Sequence, residues 1–197
     1  IYKSMVDIRD LRNLLPKPNG LQFDQLKDDE FGATHYSVVD KSDGEFKILM
    51  LTSKGSFFLT REGAFEAFPY FSEKIVSDRV VLFPGELCVS KTSETKTANI
   101  FAIHDCIETI ENADLKDRLK RGTKHLSQLP TSAGIELIMK KPEYFRNAKT
   151  FFVACNKILD GLKNLPYEND GLIFTPVKAL YKKYPQEMAM MQIYKWK

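Results

Sequence analysis

The chain has 197 residues, 43% hydrophobic and 12% aromatic, enough for one large core or two small ones, and its net charge of +3 is too slight to mark a nucleic-acid binder by itself. No stretch approaches the roughly 18 apolar residues of a membrane-spanning helix, and Ile1 opens the chain with no signal-peptide pattern behind it. Cys88, Cys106 and Cys155 show neither an even count nor Cys-x-x-Cys spacing, which argues against a disulfide framework or a zinc site and points to a reducing, intracellular context, while the opening Ile1 reads as the start of a piece cut from a longer protein.

Residues 1–34 read as a lead-in. Ser4 caps a helical spacing of Met5, Ile8, Leu11 and Leu14-Leu15 that Pro16 and Pro18 stop, and an irregular polar stretch follows. From His35 to Val89 apolar residues alternate with period two, interrupted at Ser53-Lys54-Gly55, Arg61-Glu62-Gly63 and Pro84-Gly85, so an antiparallel meander is expected. Ala98 to Ile103 is a further strand, Ala113 to Leu129 an amphipathic helix closed by Pro130, and Gly134 to Met139 a strand. The cations of that helix, Lys116, Arg118, Lys120, Arg121 and Lys124, alternate with Asp114 and Asp117 and read as a solvated face. Phe145 to Leu162 has helical spacing, Gly171 to Thr175 is a short buried strand, and Met191 to Lys197 closes the chain. Strand runs with scattered helices make the fold class α+β, with one main domain over 35–197.

The chemistry gathers around Lys41-Ser42-Asp43-Gly44, at the junction of two strand patterns. As a bare pattern this is also a turn. A lysine on rigid elements can nonetheless serve as an amine nucleophile once it is neutral, and a nearby glycine lets phosphate and backbone approach. Three distant pieces supply partners in a consistent order. Pro84-Gly85-Glu86 places a carboxylate on one strand, Asp170-Gly171-Leu172-Ile173-Phe174 places another before a buried run, and Lys195-Trp196-Lys197 puts two lysines on one side of a strand. Lysine, two carboxylates and a lysine pair suit nucleotidyl transfer, in which an amine attacks an α-phosphate, carboxylates hold a divalent metal, and cations neutralise the departing pyrophosphate. Taken singly, Asp170 also reads as a turn residue, Glu86 as a surface carboxylate, and Lys195 and Lys197 as guards of an edge strand. His35 and His125 read as ordinary structural residues.

With these pieces in order the sequence resembles the covalent nucleotidyltransferases, the superfamily of mRNA capping guanylyltransferases and ATP-dependent DNA and RNA ligases. Asp170-Gly-Leu-Ile-Phe-Thr-Pro176 followed by Lys195-Trp-Lys197 is more similar to capping enzymes than to ligases, as is Phe145-Arg-Asn-Ala-Lys-Thr-Phe-Phe152. The resemblance implies a nucleotidyltransferase fold with antiparallel sheets around a nucleotide cleft, with the OB-fold lid expected to lie beyond Lys197. It implies that Lys41 forms a lysyl-GMP intermediate, that Arg61 contacts nucleotide phosphate, and that Glu86 binds ribose or metal. It assigns the metal, Mg2+ or Mn2+, to Asp170 and Glu86, the α-phosphate to Lys195 and Lys197, and the guanine O6 to Lys149. The implied substrates are GTP and an RNA 5′-diphosphate end, and the implied companions are OB-fold, triphosphatase and methyltransferase domains in the parent chain. No membrane partner is expected.

Three positions depart from the family pattern. Phe46 stands where an arginine usually holds the ribose, Pro84 replaces an aspartate of the third motif, and His104 occupies the place of a phenylalanine that stacks on the base. Such drift is more similar to the divergent capping enzymes of large DNA viruses, which leaves the nucleus and a viral replication site in the cytoplasm or virion both open as locations. The rival readings are an ATP-dependent ligase adenylation domain and a catalytically silent RNA-binding or docking domain.

Overall fold

A computed structural model describes residues 15, 17–22, 26, 35–60, 62–68, 80–92, 94, 97–108, 113–129, 134–178 and 192–197. The expected helix after Ser4 and the Arg61 side chain lie outside the described residues. Two sheets dominate. The first runs β1 (Asn19–Gly20), β12 (Tyr194–Trp196), β11 (Asn169–Pro176), β2 (Tyr36–Ser42) and β10 (Glu143–Phe145). The second runs β5 (Phe65–Phe68), β4 (Gly55–Thr60), β3 (Glu45–Thr52), β6 (Val81–Val89), β7 (Ala98–Ile103) and β9 (Glu136–Met139), with β8 (Ile107–Glu108) on the start of β6. Pairing is antiparallel except for β1 with β12 and β7 with β9.

The expected single meander from His35 to Val89 is thereby corrected. β2 and β3 are consecutive in sequence yet belong to different sheets, so Lys41-Ser42-Asp43-Gly44 is the crossing between sheets and no hairpin turn. Period two reports which residues share a face and is silent about which strand lies alongside. Gly44 is required at the crossing because a Cβ there would lie 2.7 Å from the Leu87 carbonyl oxygen and 2.8 Å from the Cys88 sulfur. Pro84-Gly85 is likewise no break. β6 runs through both, and Gly85 admits the neighbouring strand where a Cβ would meet the Ala102 carbonyl oxygen at 2.6 Å.

Alternation sorts the core. Leu49, Leu51, Val81, Phe83, Phe101 and Ile103 face one side of the larger sheet with Phe58 and Cys106. Helix α1 (Leu115–Leu126) lies near that face, turning Leu115, Arg118, Leu119 and Gly122 inward at helical spacing. Asp114 caps it, accepting from Asp117 N, and Arg118 is buried against Asp105, donating from Nε to Oδ1 and from Nη2 to Oδ2 at 2.9 Å each. In the smaller sheet, Tyr36, Val38, Leu172, Phe174 and Tyr194 share a face with Ala154, Cys155 and Phe151 of helix α2 (Ala148–Gly161), whose Asn147 and Thr150 form a reciprocal capping box. The opposite face of β2 carries Val39 and Lys41. All three cysteines are buried and free.

Candidate active site

The site lies where the two sheets meet. Asp43 N donates to the Glu168 carbonyl, Lys91 N to the Pro166 carbonyl, and Ser90 bridges to Tyr167, so the end of β2 and the start of β11 are tied to the larger sheet. On β2, Lys41 is partly exposed on the face away from α2. On β11 a bulge between Asn169 and Leu172 displaces Asp170 from regular pairing, and Gly171, at φ +143°, supplies the backbone turn. The bulge aims Asp170 at Lys41, which pairs with its Oδ1, while Lys197 pairs with Oδ2 at 2.5 Å. Lys195 lies in register with Ile173 on β11, and Ile173 with Val39 on β2, so Lys195 shares the Lys41 face.

Electrostatics follow from this packing. Burial pushes the Asp170 carboxyl up, but the hydrogen bonds from Lys197 and Lys41 outweigh it and hold the group below the usual carboxylate range. The bond to Asp170 raises Lys197. Glu86, in β6 between Phe46 of β3 and Ala102 of β7, is raised by burial, against the opposing pull of Lys140 and Lys41 and a hydrogen bond from Ser42. His104 is pushed well below its ordinary value by burial and by the charges of Lys140 and Lys41, and its buried Nε2 has no hydrogen-bond partner among the described residues. A neutral imidazole therefore borders the lysines.

Of the residues singled out in the sequence, Lys41, Glu86, His104, Asp170 and Lys197 are brought together, with Lys195 on the same face. Lys149 is exposed on the first turn of α2, and that helix packs against the other face of the sheet, so the structure does not bring it to the cluster. Sequence reasoning missed Lys140, Asp40, Ser42 and Tyr167. Lys140 is 4% exposed; it donates to the Asp40 carbonyl at 2.8 Å and to Ser42 Oγ at 2.9 Å, pairs with the Asp40 carboxylate at 3.0 Å, and lies over the Tyr167 ring. The available signal was alternation from Ile138, which turns Lys140 inward and leaves Lys141 outside.

Among the described residues no group of three or more His, Cys, Asp or Glu is placed to hold a metal ion. Asp170 with Glu86 nearby offers two carboxylates, a number that fits a magnesium-like ion, which takes one or two carboxylates rather than a protein cage.

The model of the family described as mRNA capping enzyme, catalytic domain, matches residues 2–197. This chain belongs to that family. It is 25% identical to the mRNA-capping enzyme subunit alpha of Candida glabrata, over 92% of this chain and 45% of the relative, so it spans less than half of that protein's length. Among solved structures, a Chlorella virus DNA ligase-adenylate is similar with a TM-score of 0.53 at 14% identity, covering 93% of this chain and 69% of the ligase. A structure from the Lig E DNA ligases is similar with a TM-score of 0.55, also at 14% identity and with 93% and 69% covered. At such identities these structures show the fold, that of the ligase and capping-enzyme nucleotidyltransferase domain. Within the described residues no helix is long and apolar enough to cross a membrane.

Proposed function

We propose that this capping-enzyme domain transfers GMP from GTP, through Lys41, to the 5′-diphosphate end of RNA. The observation that carries the reading is the convergence of Lys41 and Lys197 on the two oxygens of Asp170, with Lys195 on the same face. In the first step the neutral Lys41 amine attacks the α-phosphorus of GTP. A nitrogen–phosphorus bond forms, the bond from that phosphorus to the bridging oxygen breaks, pyrophosphate departs, and the amine loses its proton. In the second step a β-phosphate oxygen of the RNA end attacks the same phosphorus, the nitrogen–phosphorus bond breaks, and Lys41 recovers a proton.

Lys195 and Lys197 supply positive charge where negative charge accumulates on the α-phosphate. Asp170, with Glu86, would hold a divalent cation, Mg2+ or Mn2+, whose chemistry when bound is to polarise the phosphoryl oxygens and neutralise the leaving group. His104, uncharged, offers a flat ring to the purine, and Arg61 is assigned to phosphate. A lid that closes on the β- and γ-phosphates, together with the enzymes that prepare and methylate the RNA end, is assigned to the remainder of the parent protein or its partners. The test is to incubate the full-length protein with α-labelled GTP or ATP and a divalent metal, then denature it. Label from GTP alone is expected. Label from ATP alone would make it a ligase-type adenylating domain, and absence of label with retained RNA binding would make it a silent docking domain.

A further inference from the structure

Lys140 belongs to none of the motifs that carry the resemblance, yet it makes more polar contacts than any other lysine of the described site. It immediately follows β9 in the larger sheet, and its backbone N–H donates to the Ile103 carbonyl at 3.0 Å, which extends the β7–β9 pairing. After it the chain passes through Lys141 and Pro142 into β10 of the smaller sheet. The side chain reaches β2 at the two residues on either side of Lys41. It bonds the carbonyl of Asp40 and the hydroxyl of Ser42, and it pairs with the Asp40 carboxylate, a contact that is ionic rather than a hydrogen bond. Asp40 and Ser42 are 7% and 0% exposed, so water does not compete for these groups.

From Ser42 the contacts continue. Glu86 on the larger sheet lies within electrostatic reach of both Lys140 and Ser42. On the other side the Lys140 ammonium lies over the Tyr167 ring, 5.8 Å from its centre. One residue therefore joins the larger sheet, through its backbone bond to Ile103, to both neighbours of the nucleophile on β2, with Tyr167 of the segment leading into β11 packed against its ammonium. A buried cation with this many partners is costly to place, and a hydrophobic residue of the same volume would often serve stability as well. Its retention is explained by geometry. With the residues before and after Lys41 both held, the direction in which the intervening side chain leaves the strand is set.

We propose that Lys140 is a positioning residue for the transfer reaction, a strut between the two sheets that fixes Lys41 relative to Glu86 and Asp170 without touching the nucleotide. The inference rests on the guanylyl-transfer reading above. In-line attack tolerates little misplacement, since a shift of about 1 Å can cost on the order of a hundredfold in rate. Loss of the strut should slow formation of the Lys41 adduct while leaving GTP affinity nearly intact.

The experiment measures single-turnover adduct formation across GTP concentrations, together with thermal stability, in the full-length protein. Lys140→Met should form adduct about a hundredfold more slowly, with the half-saturating GTP concentration within about threefold of wild type. Lys140→Met alone strands the Asp40 charge and can fail to fold. The Asp40→Asn/Lys140→Met pair removes both charges and should recover much of the wild-type melting temperature while remaining slow. Ser42→Ala, which deletes one arm of the strut, should fold normally and lose about tenfold in rate. Wild-type rates in the double variant or in Ser42→Ala would overturn the strut. So would a loss confined to the half-saturating concentration, which would make Lys140 a nucleotide contact. If the wild-type protein forms no adduct, the guanylyl-transfer reading falls and takes the strut with it; a normal wild-type adduct with equally fast variants removes the strut alone.

Discussion

Gly171 is where fold and chemistry are most tightly coupled, and Gly171→Ala tests that coupling. Two costs combine. The residue sits at φ +143°, a conformation that side-chain-bearing residues rarely adopt, and a Cβ there would lie 1.9 Å from the Trp196 carbonyl oxygen. An ordinary carbon–oxygen approach is about 3.3 Å, so β12 would have to retreat by more than a hydrogen-bonded ladder tolerates, or the bulge would have to flatten. Backbone strain of this kind costs about 1–3 kcal/mol and overpacking a further 1–3, which gives an expected destabilisation of about 2–6 kcal/mol. Because β12 carries Lys195 and leads to Lys197, the same retreat draws Lys197 from Asp170 and should lower the adduct rate about a hundredfold. Urea denaturation and single-turnover labelling of the full-length variant read the two effects. A stability change within about 0.5 kcal/mol, the range of an ordinary surface substitution, accompanied by an unchanged rate, would refute the reasoning.

Three further substitutions probe other parts of the molecule. Lys41→Arg should abolish the adduct while leaving the melting curve near wild type, because a guanidinium stays protonated and cannot act as the amine. Arg118→Met should destabilise by about 3–5 kcal/mol in denaturant titration, because it removes the guanidinium that compensates the Asp105 charge where the two side chains are only 5% and 6% exposed. Glu86→Gln should stabilise the fold at neutral pH and impair transfer. Its carboxyl is raised in the folded state, chiefly by burial, so the folded protein binds this proton more tightly than the unfolded chain and ionisation opposes folding. The advantage of Gln is therefore full above the folded pKa, shrinks as pH falls through it, and vanishes below the ordinary value of 4.5, as melting temperatures across that window would show.

Much of the site was legible in the sequence because its elements are short strands with strong alternation and the motifs fall at their ends or bulges. Lys195 and Lys197 are two apart, and that spacing alone assigns them to one face. Asp170 stands just before the apolar run Leu172-Ile173-Phe174, which marks it as a carboxylate at the mouth of a buried strand, whereas the bulge that aims it at Lys41 was not legible. The division of the strands into two sheets was not legible. The Lys41 tetrapeptide has the composition of a hairpin turn, and only the close approach of Leu87 and Cys88 to Gly44 shows why the chain crosses there instead of folding back. Lys140 was hidden for a related reason. Its partners, Asp40 and Ser42, are nearly a hundred residues away in sequence, and Lys140-Lys141-Pro142 on its own looks like a solvated strand end. β10 was not legible because Glu143-Tyr144-Phe145 is too short to show a period and its last residue also opens the helical spacing read from Phe145, whereas its pairing with Tyr36, Ser37 and Val38 makes it an edge of the smaller sheet. The overlap of Phe145 and Phe151 spacing with the helix pattern has a packing origin, since both rings belong to the cluster around Phe174.

The central claim is that Lys41 is the group that becomes covalently guanylylated. Peptide mapping by mass spectrometry of the full-length protein, after incubation with GTP and a divalent metal, addresses it directly. One GMP on the peptide that contains Lys41, stable to alkali and released by acid as a nitrogen–phosphorus bond requires, is the predicted result. GMP carried by any other residue, or modification by ATP in preference to GTP, would contradict it.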